Sequence, residues 1–323
     1  MKKPSQRQIL NAFNRAYEKQ LRKAERVSYR QAYKVYKEAF KQASQQYANN
    51  VDPRNISLVD TIAYRNLFID IYKKQGTRFA KWWRELFVKV ATKADNPEYD
   101  LWQMAFAQYG ETRAGEMVTT VQESMKRQFE SQLRKEMQDP EFMDMGNEER
   151  AQRLLKSGYW NKSTRWMAER VARTETGIAA SLGQQRSSLS MFKEQEMEKR
   201  WITARDEKVR PDHVAMDGKQ QDFDKNWILP DGTEMIRPRI TAGGMNAPQQ
   251  VINCRCAQVD IPKPQVLDNL FDELMNEDAQ PNRSQLGVFG QLLQALGRKP
   301  KKPTVQIDSQ TFITSDLIDG LGN

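Results

Sequence analysis

Residues 251–260 read VINCRCAQVD and hold both cysteines of the chain, Cys254 and Cys256, with one residue between them. A disulfide joining the two is disfavoured. It would close a very small ring, and on an extended strand side chains at i and i+2 share a face without reaching S–S geometry. A metal-ligand pair, a redox pair and two buried small residues remain as readings. The alternating character of 251–261 suggests a final strand, and the pieces upstream share its short-element texture. Trp201–Thr203 reads as a strand and RDEKVRPDH (205–213) as a turn. AMDGKQQDF (215–223) reads as a hairpin about Asp217-Gly218 and LPDGTEM (229–235) as another about Asp231-Gly232. IRPRITAGGMNAPQQ (236–250) reads as a long Pro/Gly loop.

Upstream of Glu198 the texture is helical. Ser57 or Asp60 can cap a segment through Leu67, Phe68 and Ile71 that ends near Gly76. Phe79, Trp82, Trp83, Leu86, Phe87 and Val90 form a wide apolar face on the next. Asn96-Pro97 opens a third helix carrying Leu101, Trp102, Ala105 and Phe106, with Gly110 as its end. Residues 112–138 predict a long amphipathic helix closed by Asp139-Pro140. Asn147 is expected to cap NEERAQRLLKSG with Gly158 as its stop, and Asn161 to start a further helix containing Ala172-Arg173-Thr174-Glu175.

The charge is unevenly spread. Residues 1–50 carry twelve Lys/Arg against three acids, an excess of nine that equals the formal charge of all 323 residues. Ala, Gln, Lys, Arg and Glu dominate here, which favours helix. Tyr29, Tyr33, Tyr36, Phe40, Ala43 and Tyr47 fall on one helical face, and Ile9, Phe13, Tyr17 and Leu21 make a similar stripe. The expectation is a basic helical arm that docks on protein through its aromatics. Its cations, Arg15, Lys19, Arg22, Lys23, Arg26, Arg30 and Lys34 among them, stay free for nucleic acid phosphate or an acidic partner.

Apolar residues make up 38% and charged residues 29%, and no window approaches 18 consecutive apolar residues, so neither a transmembrane helix nor a membrane partner is expected. The opening MKKPSQRQILNAFNR lacks the apolar core of a signal peptide. Two cysteines in so long a chain fit a reducing compartment.

WITARDEKVRPDHVAMDG (201–218), then LPDG and INCRC, with ARTE on a helix before them, resembles the phage Mu F-like head morphogenesis family over about residues 147–262. Its members are minor head proteins of tailed double-stranded DNA phages. The residues that carry the resemblance are Arg173, Glu175, Trp201, Asp206, Arg210, His213, Gly218, Asn253, Cys254, Arg255 and Cys256. It implies a structural protein of head morphogenesis, made in the host cytoplasm and then housed in the virion near the portal. Its partners would be portal, inner capsid or scaffold proteins and packaged DNA, with no small-molecule substrate.

The single histidine, His213, precedes the cysteine pair by about forty residues. One imidazole and two thiolates make a three-ligand set for zinc, with the fourth place open to water or a carboxylate, Asp206 or Asp212 being nearest in sequence. Buried reduced thiols, with His213 hydrogen-bonded to an acid, are the alternative. One histidine builds neither an H-E-x-x-H protease nor a His-Asn-His nuclease, and G-x-S-x-G, G-x-x-x-x-G-K-[ST] and G-x-G-x-x-G are all absent. Arg173 and Glu175 evoke ADP-ribosyl transfer, but i and i+2 face apart on a helix. They are expected instead to anchor the helix to the β module, Arg173 through Asp206. No enzymatic activity is expected; a metal-dependent enzyme of phage assembly and a plain DNA-binding protein are the alternatives. The sequence thus predicts an α+β, mainly α chain: a basic helical arm (1–50), a helical scaffold (51–145), a head morphogenesis domain with a small β-hairpin-rich module (146–262) and a loose tail (263–323) with short helices.

Overall fold

A computed structural model describes residues 6–58, 60–87, 97–243 and 247–263. The expected tail lies outside them apart from Lys263, as do the side chains of Ile9, Phe13, Leu86, Phe87 and Val90. The class is α+β and mainly α, as expected. The helices are α1 Gln6–Ala48, α2 Thr61–Ile71, α3 Thr77–Phe87, α4 Pro97–Glu136, α5 Pro140–Asp144, α6 Asn147–Lys156 and α7 Gly158–Met191, with the short α8 Pro211–Val214 and α9 Pro248–Val251. The strands are β1 Met197–Ile202, β2 Gln220–Asp222, β3 Trp227–Ile228, β4 Glu234–Arg237, β5 Ile240–Thr241 and β6 Ala257–Pro262. Packing divides the chain into two units that cut across the sequence blocks: Met1–Arg22, Arg78–Asp95 and Ala180–Asn323 form one, and Lys23–Thr77 with Asn96–Ala179 the other.

In the second, helical unit, α1 is a core element. Ala24, Ser28, Ala32, Tyr36, Ala39, Phe40 and Ala43 make its buried line, while Tyr29, Tyr33 and Tyr47 are only half-buried. Tyr36 meets Tyr64 edge-on at 5.4 Å, and Phe40 lies 4.0 Å from Trp160. Of the predicted stripe, Tyr36, Phe40 and Ala43 therefore face the chain's own core, and small residues such as Ala32 and Ala39 let neighbours approach. Asp60 caps α2 through the Ile62 and Ala63 N–H groups, as expected.

Two expected helix stops run straight through. A π-turn over Tyr72–Gly76 joins α2 to α3, and α4 continues past Gly110. Both glycines serve close packing. A Cβ at Gly76 would lie 2.7 Å from the Phe106 ring, and one at Gly110 would lie 2.9 Å from Ile69 Cα and 3.0 Å from the Phe68 carbonyl oxygen. Backbone cannot swing aside as a side chain can, so Gly110→Ala is expected to cost about 1–3 kcal/mol through overpacking. Gly115→Ala on the same helix meets nothing within 4 Å and is expected to gain about 0.5–1 kcal/mol. Urea midpoints of the two variants measure the contrast.

Near Gly158 the expectation also shifts. Gly146, not Asn147, occupies the N-cap of α6, its N–H donating to Glu149, and the break before α7 falls at the extended Ser157, with α7 starting at Gly158 itself.

In the first unit, two small antiparallel sheets run in the orders β2-β1-β6 and β3-β4-β5. The hairpin about Asp231-Gly232 forms, with Gly232 at φ +83°, where glycine is free of strain. The one about Asp217-Gly218 does not. Residues 215–218 turn on from α8, and β2 pairs with β1 instead, Glu198 opposite Asp222. The loop expected over 236–250 holds the end of β4, β5 and α9. The final strand starts only at Ala257, so both cysteines precede it.

The core of this unit joins Trp201 to Trp227, edge-on at 5.6 Å, and Tyr17 to Phe79 at the same separation. A buried polar chain runs through it. Arg237 pairs with Asp260 at 3.0 Å and donates to Ser181; Trp83 donates to Ser188, which donates to Asp260; Trp227 donates to Gln258, which donates to Asp260. Each buried donor named here has its acceptor, which such a core requires.

Candidate metal centre

Two one-turn helices carry the centre. α8 opens on Pro211, whose missing N–H costs nothing at a first helical position, and places His213 inward. α9 opens likewise on Pro248; Ile252 then turns extended, and Asn253 takes a left-handed φ of +58°, which Asn tolerates better than most residues. That reversal aims Cys254 back at α8.

His213, Cys254 and Cys256 are each only 1% exposed. His213 Nδ1 stands 3.5 Å from Cys254 Sγ and 3.3 Å from Cys256 Sγ, and the three donor atoms all lie within 4.8 Å of one another. Zn–S bonds of about 2.3 Å and Zn–N bonds of about 2.0–2.1 Å at tetrahedral angles put sulfur and nitrogen about 3.5 Å apart. The donor set and spacing fit a thiophilic divalent ion. His213 Nε2 is buried without a hydrogen-bond partner, and the Trp201 ring stands edge-on to the imidazole at 5.5 Å.

The two thiols are inequivalent. The hydrogen bond from Cys256 pulls the Cys254 thiol well below its ordinary range against the opposing effect of burial, with His213 and Arg239 helping. Donating that bond, together with burial, pushes Cys256 up. Binding a metal as thiolates releases protons from such thiols.

Two arginines hold the loop. Arg210 donates to the Ile252 carbonyl, and Arg239 Nε donates to the Cys254 carbonyl at 2.7 Å. Burial pushes the Tyr17 phenol up, and the nearby Arg239 guanidinium works against that push. Arg255 points outward to Asp206 at 2.6 Å.

The structure therefore gathers Trp201, Arg210, His213, Asn253, Cys254 and Cys256, and leaves out the carboxylates proposed as a fourth ligand. Asp206 is engaged by Arg255, whose hydrogen bond holds its carboxyl below the usual range. Asp212 accepts from Gln250 at 2.9 Å. Glu175 is buried among helices with Tyr72 and Arg113, and Arg173 is half-buried on α7. Arg239 and Tyr17 are the centre residues that sequence reasoning missed. A Pro-Arg pair in a loop carries no signal of what its side chain holds.

On α1, Arg15, Lys19 and Arg22 are exposed, as are Lys23, Arg26, Arg30, Lys34, Lys37 and Lys41. The last six recur at steps of three or four, which places them on one helical face. Among the described residues no helix is long and apolar enough to cross a membrane.

Residues 114–259 match the family model described as Phage Mu protein F like protein. No curated protein and no solved structure matches the chain. The match bears out the resemblance read from the motifs, although it begins earlier, inside α4, and it contains all three donors of the centre. Its context is phage head morphogenesis.

Proposed function

We propose that this chain, Phage Mu F-like over residues 114–259, is a structural minor head protein of a tailed double-stranded DNA phage. The observation that carries the reading is the family match over a module built around His213, Cys254 and Cys256. These three hold zinc, and the ion staples short strands that bury little by themselves. Burial of all three donors supports a structural ion over a catalytic one, since a catalytic zinc keeps a position open to substrate. The protein works without catalysis. It is made in the host cytoplasm and enters the head near the portal, against portal, inner capsid or scaffold protein. The exposed cations of α1, from Arg15 through Lys34, meet phosphates of the packaged DNA.

Co-sedimentation with procapsids tests this. The chain is expected to pellet with them at low copy number, and less so with procapsids lacking portal. A chain that stays in the supernatant yet binds DNA with a steep salt dependence would be a plain DNA-binding protein. Turnover of DNA or protein abolished by His213→Ala would make it an enzyme.

A further inference from the structure

The turn between β4 and β5 consists of Pro238 and Arg239. Proline first and a positive φ second is the type II pattern, whose second position favours glycine or asparagine. Arg239 occupies it at φ +75°, a conformation that crowds any Cβ. Its side chain is not spent on solvent, since Arg239 is 1% exposed. Backbone strain kept at a buried polar residue points to a use for that side chain, and the use is visible. Nε holds the Cys254 carbonyl at 2.7 Å, and the guanidinium charge reaches the buried Tyr17 phenol. Arg210 holds the Ile252 carbonyl two residues earlier, so the carbonyls on either side of left-handed Asn253 are both fixed.

We propose that Arg239 is a positioning residue of the metal centre: its guanidinium fixes the Cys254 peptide so that both sulfurs face His213 Nδ1 at ligand spacing before a thiophilic divalent ion arrives. This rests on the metal reading above. Arginine suits the task because its planar donors are fixed in direction and always charged, whereas a lysine ammonium reaches as a single flexible point. Without that hold the Cys254–Arg255 peptide can turn about the Cα–C bond of Cys254, which changes where the chain carries the Cys256 sulfur relative to that of Cys254.

The test measures zinc affinity of the full chain by chelator competition and, on the metal-free chain, the rate at which a thiol reagent modifies the cysteines. Arg239→Gly removes the strain of the turn and the side chain together; Arg239→Lys keeps a long cationic stem and covers the case in which the glycine variant fails to fold. Both are expected to bind zinc about 10–100-fold more weakly, the usual loss for a group that orients a ligand, and to expose the thiols to faster modification. Tyr17→Phe should shift both readouts the same way by less. Gly110→Ala, destabilised in the helical unit, should leave them unmoved, which separates positioning from general loss of stability. A folded Arg239→Lys chain with unaltered zinc affinity and thiol rates would overturn the proposal. If the unmutated chain takes up no zinc, the metal reading fails, and the thiol rates alone decide whether Arg239 positions the pair.

Discussion

Withdrawing zinc with a chelator is expected to unfold residues 197–263 while the helical unit keeps its far-UV signal. Structural zinc contributes on the order of 10 kcal/mol or more in small modules, as much as the whole stability of many domains, about 5–15 kcal/mol. The strands here have two to six residues each, in two separate three-stranded sheets, too little ladder to be stable alone. The helical unit has its own packed aromatics, Tyr36 on Tyr64 and Phe40 on Trp160. Cys254→Ser should release the ion and give the same selective loss, followed by hydrogen exchange residue by residue. Purified chain is expected to carry about one zinc per molecule. Metal-free protein with fully protected strands would refute the idea and leave Cys254 and Cys256 as buried thiols bonded to His213.

The cluster was legible because it uses the only histidine and the only two cysteines of the chain, so no combinatorial choice stood between sequence and site. Its supports were not legible. That Arg255 meets Asp206, and that Arg239 reaches back to Cys254, depends on which loops lie together, which no local pattern records. The same limit explains the misread glycines. Gly76 and Gly110 look like helix stops in one dimension, because a stop and a close crossing both ask for a missing Cβ; only the distant partners, Phe106 and Ile69, tell them apart. The buried line of α1 was read through its aromatics, whereas small Ala24, Ser28 and Ala32 carry as much of it and weigh little on any hydropathy scale. Element class survived these errors because period and propensity act locally. Boundaries and partners did not.

Glu175→Ala is expected to destabilise the helical unit by about 3–5 kcal/mol, the usual consequence of stripping one partner from a buried ion pair. Glu175 is 2% exposed and Arg113 4% exposed. Arg113 donates to Glu175 from both Nε and a terminal nitrogen, and the Tyr72 hydroxyl donates to the same carboxylate at 2.6 Å. Burial is the largest influence and works to lower the Arg113 pKa, but the charges of Glu175 and Tyr72 and the hydrogen bonds to Glu175 and Glu116 together raise it above the ordinary guanidinium range; without Glu175 the side chain still keeps its proton, as arginine does in proteins. Burial, with Glu175 beside it, also pushes Tyr72 well up, and its hydroxyl stays a donor at any ordinary pH. Alanine at 175 therefore strands a guanidinium and a phenol, with only the half-exposed Glu116 left to Arg113. Gln keeps an acceptor but not the charge and should cost less. Removing both charges, with Arg113→Met and Glu175→Leu together, is expected to recover much of the loss, because an apolar pair of similar volume leaves no stranded charge and only the Tyr72 hydroxyl without its acceptor. Chemical denaturation of the three variants measures this; a double variant as unstable as Glu175→Ala would mean that the ion pair itself, and not the avoidance of a stranded charge, holds α4 to α7.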